Sequence, residues 1–169
     1  MKHNILIVDD EPDILETLED LLDTCLIDSA PDFDSAVKFL DKNTYDVAIF
    51  DIMGVRGNEL LRIATRKNIP AIMLTAHALS PDSLIKSIKD GAHSYIPKDM
   101  MTDISVYVKD ILEARRQGIE KHGRWFERLK PFFDKKFGQG WRKRDPEFWK
   151  EFDKANSTRI SKDELETIM

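Results

Sequence analysis

The alternation of short apolar runs with amphipathic helical stretches predicts an α/β protein, a doubly wound five-stranded parallel sheet followed by a C-terminal α-helical extension. Three observations carry this expectation. Ile5 to Val8 and Val47 to Phe50 are unbroken apolar runs of strand length, as strands covered on both faces read. Between such runs, apolar residues recur at helical spacing. The composition then changes near Gly118. Residues 1–118 hold 13 Lys and Arg against 21 Asp and Glu, whereas residues 119–169 hold 13 against 10, so a part of net −8 meets a part of net +3. The second part also holds all three tryptophans and six of the nine phenylalanines. We therefore expect two units, 1–118 and 119–169.

The first strand, Ile5 to Val8, runs into Asp9 and Asp10. Pro12 suits a first helical turn, and Ile14, Leu15, Leu18, Leu21 and Leu22 give helix one an apolar side over about 12–23. Cys25 to Ala30 reads as strand two. Asp34 is a candidate N-cap for helix two, whose apolar side is Ala36, Val37, Phe39 and Leu40. Tyr45 to Phe50 is strand three, ending at Asp51. A helix over Asn58 to Arg66 precedes strand four, Pro70 to Leu74, which ends at Thr75. Ser80-Pro81 opens the next helix as cap and first-turn proline, and Gly91 closes it. Ser94 to Ile96 is strand five, ending at Pro97-Lys98. A helix from about Thr102 to Gln117 completes the fifth unit, and its apolar stripe continues through Ile119 to Lys130.

Composition narrows the function classes. Of the 169 residues, 41% are hydrophobic and 34% charged, and no apolar run approaches the roughly 20 residues that span a bilayer. With no apolar leader after Met1, the expected location is cytoplasmic, with no membrane contact. One cysteine, Cys25, excludes an internal disulfide and a thiolate zinc cage, and is expected to be packing.

The chemistry follows from where the strands end. In an open doubly wound sheet the site lies beyond the carboxyl ends of the strands. Those ends supply Asp9, Asp10, Asp51, Thr75 and Lys98. Three carboxylates gathered at about 5 Å repel by a few kcal/mol per pair at an effective dielectric near 20, so the cluster calls for a cation. Oxygen donors without cysteine or histidine favour Mg²⁺, which accepts phosphate oxygens as further ligands. With Lys98 and the Thr75 hydroxyl alongside, the set suggests phosphoryl transfer onto a carboxylate. His77 and His93 are read as solvated loop residues. Asp9, Asp10 and Asp51 taken singly are ordinary acids after strands; together with Thr75 and Lys98 they make a site.

Ile5-Leu-Ile-Val-Asp-Asp-Glu-Pro12, Val47-Ala-Ile-Phe-Asp51-Ile-Met53, Met73-Leu-Thr75-Ala76 and Gly91-Ala-His-Ser-Tyr-Ile-Pro-Lys98 resemble the receiver domain of two-component response regulators over about residues 3–117. The resemblance implies a flavodoxin-like receiver fold in which Asp51 takes a phosphoryl group from a histidine kinase or phosphotransfer protein. It implies that Asp9, Asp10, Asp51 and the backbone carbonyl of Met53 hold Mg²⁺, that Thr75 and Lys98 contact the phosphoryl group, and that Tyr95 is an aromatic switch. It also implies an Ile96-Pro97 peptide that can be cis. Two departures stand out. The loop after Asp51 is short and carries Gly54 and Gly57 without proline, which should loosen it, and Asp99 stands where a second proline is common.

The extension is basic and aromatic. Pro131 should kink or end the helix carrying Trp125, Phe126 and Leu129, Asp145-Pro146-Glu147 should start another, and Ser161 to Glu164 forms a capping box. Such dense aromatics must be buried, within the extension, on the first unit, or against a downstream protein or a second copy. Trp141 beside Arg142-Lys143-Arg144 keeps nucleic acid open as a partner, against which stands the lack of a helix-turn-helix pattern. No enzymatic output motif is found, and the Asp-x-Asp of aspartate-nucleophile phosphohydrolases is absent after strand one.

Overall fold

The computed structural model describes residues 2–77, 79–119 and 123–155. Its strands are β1 (Asn4–Val8), β2 (Leu26–Ala30), β3 (Val47–Asp51), β4 (Ala71–Thr75) and β5 (Ser94–Pro97), in the order β2-β1-β3-β4-β5 and parallel throughout. The helices α1 (Pro12–Leu21), α2 (Phe33–Lys42), α3 (Gly57–Arg66), α4 (Pro81–Lys89) and α5 (Ile104–Arg116) alternate with them, and a 3₁₀ turn, Lys98–Asp103, leads into α5. The α1 and α5 helices meet on one face, α2 and α3 on the other. β1, β3 and β4 are buried almost completely, which is why their sequences are continuous rather than alternating.

The strand order reverses between β1 and β3, which opens a crevice at their carboxyl ends. Register fixes what lies there. Val8 is level with Phe50, Asp51 with Leu74 and Thr75 with Pro97. Asp9, Asp51, Thr75 and Lys98 are therefore delivered to one edge of the sheet.

Local signals differ from expectation at several points. Helix two is capped by Asp32, whose carboxylate accepts from the Ser35 N–H at 2.8 Å, and Asp34 lies inside the first turn. The stripe through Ile119 to Lys130 is not a continuation of α5. That helix ends at Arg116, and Gly118 at φ +79 turns the chain before α6 (Arg124–Phe137). Pro131 sits within α6 rather than ending it. Its missing N–H would have served the Glu127 carbonyl, and Glu127 and Pro131 are both exposed, so water can serve it instead. The Ile96-Pro97 peptide is trans, and Pro97 (φ −63, ψ 140) continues the strand opposite Thr75. His93 is buried, not solvated, because its backbone N–H pairs with the Ala71 carbonyl where β5 begins. Cys25 is half-buried. The capping box at Ser161 lies outside the described residues.

After α6 come a 3₁₀ turn, Trp141–Arg144, and a helix, α7, over 146–155. The extension folds on itself and also onto the sheet. Trp125, Phe126, Leu129, Phe133, Trp141 and Trp149 are all buried. Phe126 is the hub, with ring centroids 5.1 Å from Trp149 and 6.0 Å from Phe133. The α6 helix packs on α5 and on β5, covering a strand that would otherwise be an open edge. Arg128 on α6 pairs with Asp110 on α5 at 2.9 Å, and Lys89 on α4 lies over the Phe148 ring at 5.7 Å. Trp141 and Arg142, read as a base-stacking pair, face inward. The Trp141 indole N–H donates to Asp134 at 2.9 Å, and the Arg142 guanidinium lies 4.5 Å over the Trp149 ring. Lys143 and Arg144 are exposed. Among the described residues no helix is long and apolar enough to cross a membrane.

Candidate functional site

Asp9 follows the last residue of β1 and is 1% exposed; Asp51 ends β3 and is 5% exposed. One ligand oxygen from each of Asp9, Asp10 and Asp51 lies within 4.8 Å of the others. Asp10 is exposed, so the trio opens to solvent on its side. Lys98, just past β5, reaches over them, its ammonium 2.9 Å from Asp9 Oδ2 and 3.3 Å from Asp51 Oδ1. Glu11, which sequence reasoning did not include, comes within 3.7 Å of the same ammonium. Asp9 is further fixed by the Glu11 N–H, which donates to its Oδ1 at 2.9 Å.

Burial and crowding set the charge balance. Burial first, then the neighbouring Asp9 carboxylate, push the Asp51 carboxyl up to about 6, although Lys98 opposes both. Burial also raises Asp9, opposed by the Glu11 N–H and by Lys98. For Lys98, burial disfavours the charged form, but the hydrogen bond it donates to Asp9 and the charges of Asp51, Asp9 and Glu11 outweigh it and raise the ammonium. One lysine thus faces more negative charge than it can balance. A donor set made only of oxygens, partly open and short of positive charge, fits a hard divalent cation such as Mg²⁺.

The loop after Asp51 is shaped by close approach. Gly54 has φ +88, and a Cβ there would lie 2.5 Å from Asp10 Oδ2. A Cβ on Gly57 would overlap the Asp51 carbonyl oxygen. These glycines let the loop fold tightly against the acids. Val55 beneath them is buried, and Arg56 lies 3.9 Å over the Phe33 ring. Composition named both glycines but could not reveal which atoms they approach. Met53 lies in this loop with its side chain 55% exposed.

Thr75 is 1% exposed at the end of β4, and its hydroxyl hydrogen bonds with that of Tyr95, which also meets the Ser83 side chain and the Ser80 backbone. Burial raises the Tyr95 phenol, and those three hydrogen bonds oppose the rise. Tyr95 is fully buried, with its ring centroid 6.3 Å from that of Phe133 on α6. His77 is exposed.

Comparison with known proteins gives one family. The model of the response regulator receiver domain matches residues 5–107. The two-component response regulator ARR18 of Arabidopsis thaliana is 31% identical over 133 residues, covering 75% of this chain and 20% of the relative. The heme response regulator HssR of Staphylococcus aureus strain JH9 is 38% identical over 100 residues, covering 55% and 43%. The chain thus spans less than half the length of either relative. Among solved structures, the BeF₃-activated receiver domain of DrrB, a Thermotoga maritima protein, superimposes with a TM-score of 0.60 at 27% identity, covering 67% of this chain and 99% of that one. A response regulator of Chloroflexus aurantiacus gives a TM-score of 0.59 at 30% identity, with coverage of 67% and 99%.

Proposed function

This chain belongs to the response regulator receiver family, and from that premise we propose that Asp51 accepts a phosphoryl group from the phosphohistidine of a sensor kinase or phosphotransfer protein. The observation that carries the reading is the meeting of Asp9, Asp10 and Asp51 within 4.8 Å beneath the Lys98 ammonium. The Asp51 carboxylate oxygen attacks phosphorus, the P–N bond to the donor histidine breaks, and its electron pair stays on the imidazole, which takes up a proton. Asp9, Asp10 and Asp51 would hold Mg²⁺ with the Met53 backbone carbonyl. When bound, Mg²⁺ supplies neutralisation of charge on the phosphoryl oxygens. Lys98 would do the same through its ammonium, and the Thr75 hydroxyl would donate to one of those oxygens.

Asp51 must be ionised to attack; burial and the Asp9 carboxylate raise its carboxyl to about 6, and Mg²⁺ held beside it would favour the ionised form. Incubation with Mg²⁺ and acetyl phosphate should add one phosphoryl group, labile to hydroxylamine as an acyl phosphate must be, and Asp51→Asn should take up none. A wild-type chain that stays unlabelled, or a label that survives Asp51→Asn, contradicts the reading. In this reading the chain is a cytoplasmic phosphoprotein that catalyses its own phosphorylation and dephosphorylation. Its output is protein interaction, with a downstream partner or a second copy, through the α4-β5-α5 side or the extension.

A further inference from the structure

One side chain, Tyr95, meets both the threonine beside the acidic cradle and the aromatic extension. The Tyr95 hydroxyl hydrogen bonds with Thr75, and Thr75 ends the strand paired with β3, next to Asp51. The ring of the same tyrosine packs against Phe133. Tyr95, Leu129 and Phe133 are each completely buried. Protein interiors are packed as densely as organic crystals, so a Tyr95 turned away from Thr75 would need volume that docked α6 already fills. Docking of α6 and an outward Tyr95 are therefore mutually exclusive. Arg128 with Asp110, and Lys89 with Phe148, fasten the extension on either side of β5.

We propose that residues 124–155 act as an intramolecular clamp on β5, holding Tyr95 against Thr75, so that docking of the extension and phosphorylation of Asp51 favour each other. The proposal rests on Asp51 being the phosphoacceptor. Thr75 has one hydroxyl proton. Once phosphoryl oxygens stand on Asp51, that proton is drawn to them as a charge-assisted donor, and the Thr75 oxygen is left to accept from Tyr95. Donation then runs one way, from Tyr95 to Thr75 to the phosphoryl group, and each bond polarises the next. A phosphorylated cradle thus prefers the inward tyrosine that the docked extension requires. Since coupling between two sites is reciprocal, the docked extension must strengthen phosphoryl binding by the same factor.

The chain carries its own reporter. Trp125, Trp141 and Trp149 all lie in the extension, and residues 1–118 contain no tryptophan. The test uses the full chain with Mg²⁺ and beryllofluoride as phosphoryl mimic, reading mimic occupancy by ¹⁹F NMR and extension docking by acrylamide quenching of tryptophan fluorescence. We expect quenching to fall as the mimic binds wild type. We also expect Phe133→Ala, and Arg128→Ala as a milder variant, to weaken mimic affinity, with Phe133→Ala losing at least about fivefold, the low end of typical allosteric coupling. Tyr95→Phe, which keeps the ring and removes only the hydroxyl, should still bind mimic but leave quenching unchanged. If wild type binds no mimic, the phosphoacceptor reading itself fails. If wild type binds it while quenching stays constant and Phe133→Ala and Arg128→Ala bind equally well, the clamp is overturned and the phosphoacceptor reading stands. Should Phe133→Ala fail to fold, Arg128→Ala and Tyr95→Phe decide by the same criteria.

Discussion

At the carboxyl ends of β1 and β3, two carboxylates are 1% and 5% exposed and share one lysine. On the far side of β5, the rings of Trp125, Phe126, Phe133, Trp141 and Trp149 are buried together, and the charges of Arg128, Lys130 and Asp134 lie toward the rim. Both regions are buried, but only the second is complete. Each ring removed from water contributes about 1.5–3 kcal/mol, and aromatic pairs add about 0.5–1.5 more. The cradle instead holds like charges together at a cost, which a bound cation would relieve. The difference shows that the fold carries an unfavourable site on favourable packing, and it predicts opposite responses to substitution.

The largest effect belongs to the aromatic side. Phe133→Ala should cost about 3–5 kcal/mol, as large-to-small changes at buried aromatics do, measured by urea unfolding. A cost below about 1 kcal/mol would mean that the extension contributes little to the packing. On the cradle side, Mg²⁺ at a hundred times its dissociation constant should add about 2.7 kcal/mol to wild-type stability by mass action. Thermal unfolding with Mg²⁺ and with a chelator checks this, and Asp51→Asn should lose most of the gain.

Without Mg²⁺ the same substitution should stabilise. The Asp51 carboxyl is raised from 3.8 to about 6, so between those values the folded chain keeps a proton that the unfolded chain releases. Stability from that proton is complete below 3.8 and is lost as pH rises through about 6. Asparagine is neutral throughout, so Asp51→Asn should gain on the order of 1–3 kcal/mol at neutral pH. That gain should vanish near pH 4. A gain that does not depend on pH would assign it to packing instead of charge.

The smallest effects sharpen the picture within the aromatic cluster. Trp141 donates its indole N–H to Asp134, whereas the Trp149 N–H is buried without an acceptor among the described residues. Trp141→Phe should cost about 1 kcal/mol more than Trp149→Phe, the usual net worth of one hydrogen bond. Equal costs in chemical denaturation would show that ring volume alone matters at both positions.

The two regions also differ in how far they can be read from sequence. Asp9, Asp10, Asp51, Thr75 and Lys98 are legible because a parallel sheet brings every strand end to one edge, so residues far apart in sequence need only the strand pattern to be placed together. What the pattern lacks is short-range geometry. Nothing local distinguishes Asp32 from Asp34 as a cap except which of them reaches the Ser35 N–H. The glycines at 54 and 57 read as looseness, and only the positions of the Asp10 carboxylate and the Asp51 carbonyl reveal them as close-approach residues. Glu11 is hidden because it belongs to the site through Lys98, not through a strand end. For the extension, the aromatic density dictates burial but carries no address. Its seat on β5 is set by an edge strand left open in the sheet and by the Tyr95 ring waiting there.

Hydrogen exchange on the full chain, resolved by peptide and compared with and without Mg²⁺ and beryllofluoride, tests the link between these regions most directly. Protection should rise together at 51–57, at the end of β4 and across 124–155, because one tyrosine serves both sides. If 51–57 and the end of β4 gain protection while 124–155 exchanges at an unchanged rate, the extension is a passive cover and the coupling through Tyr95 does not exist.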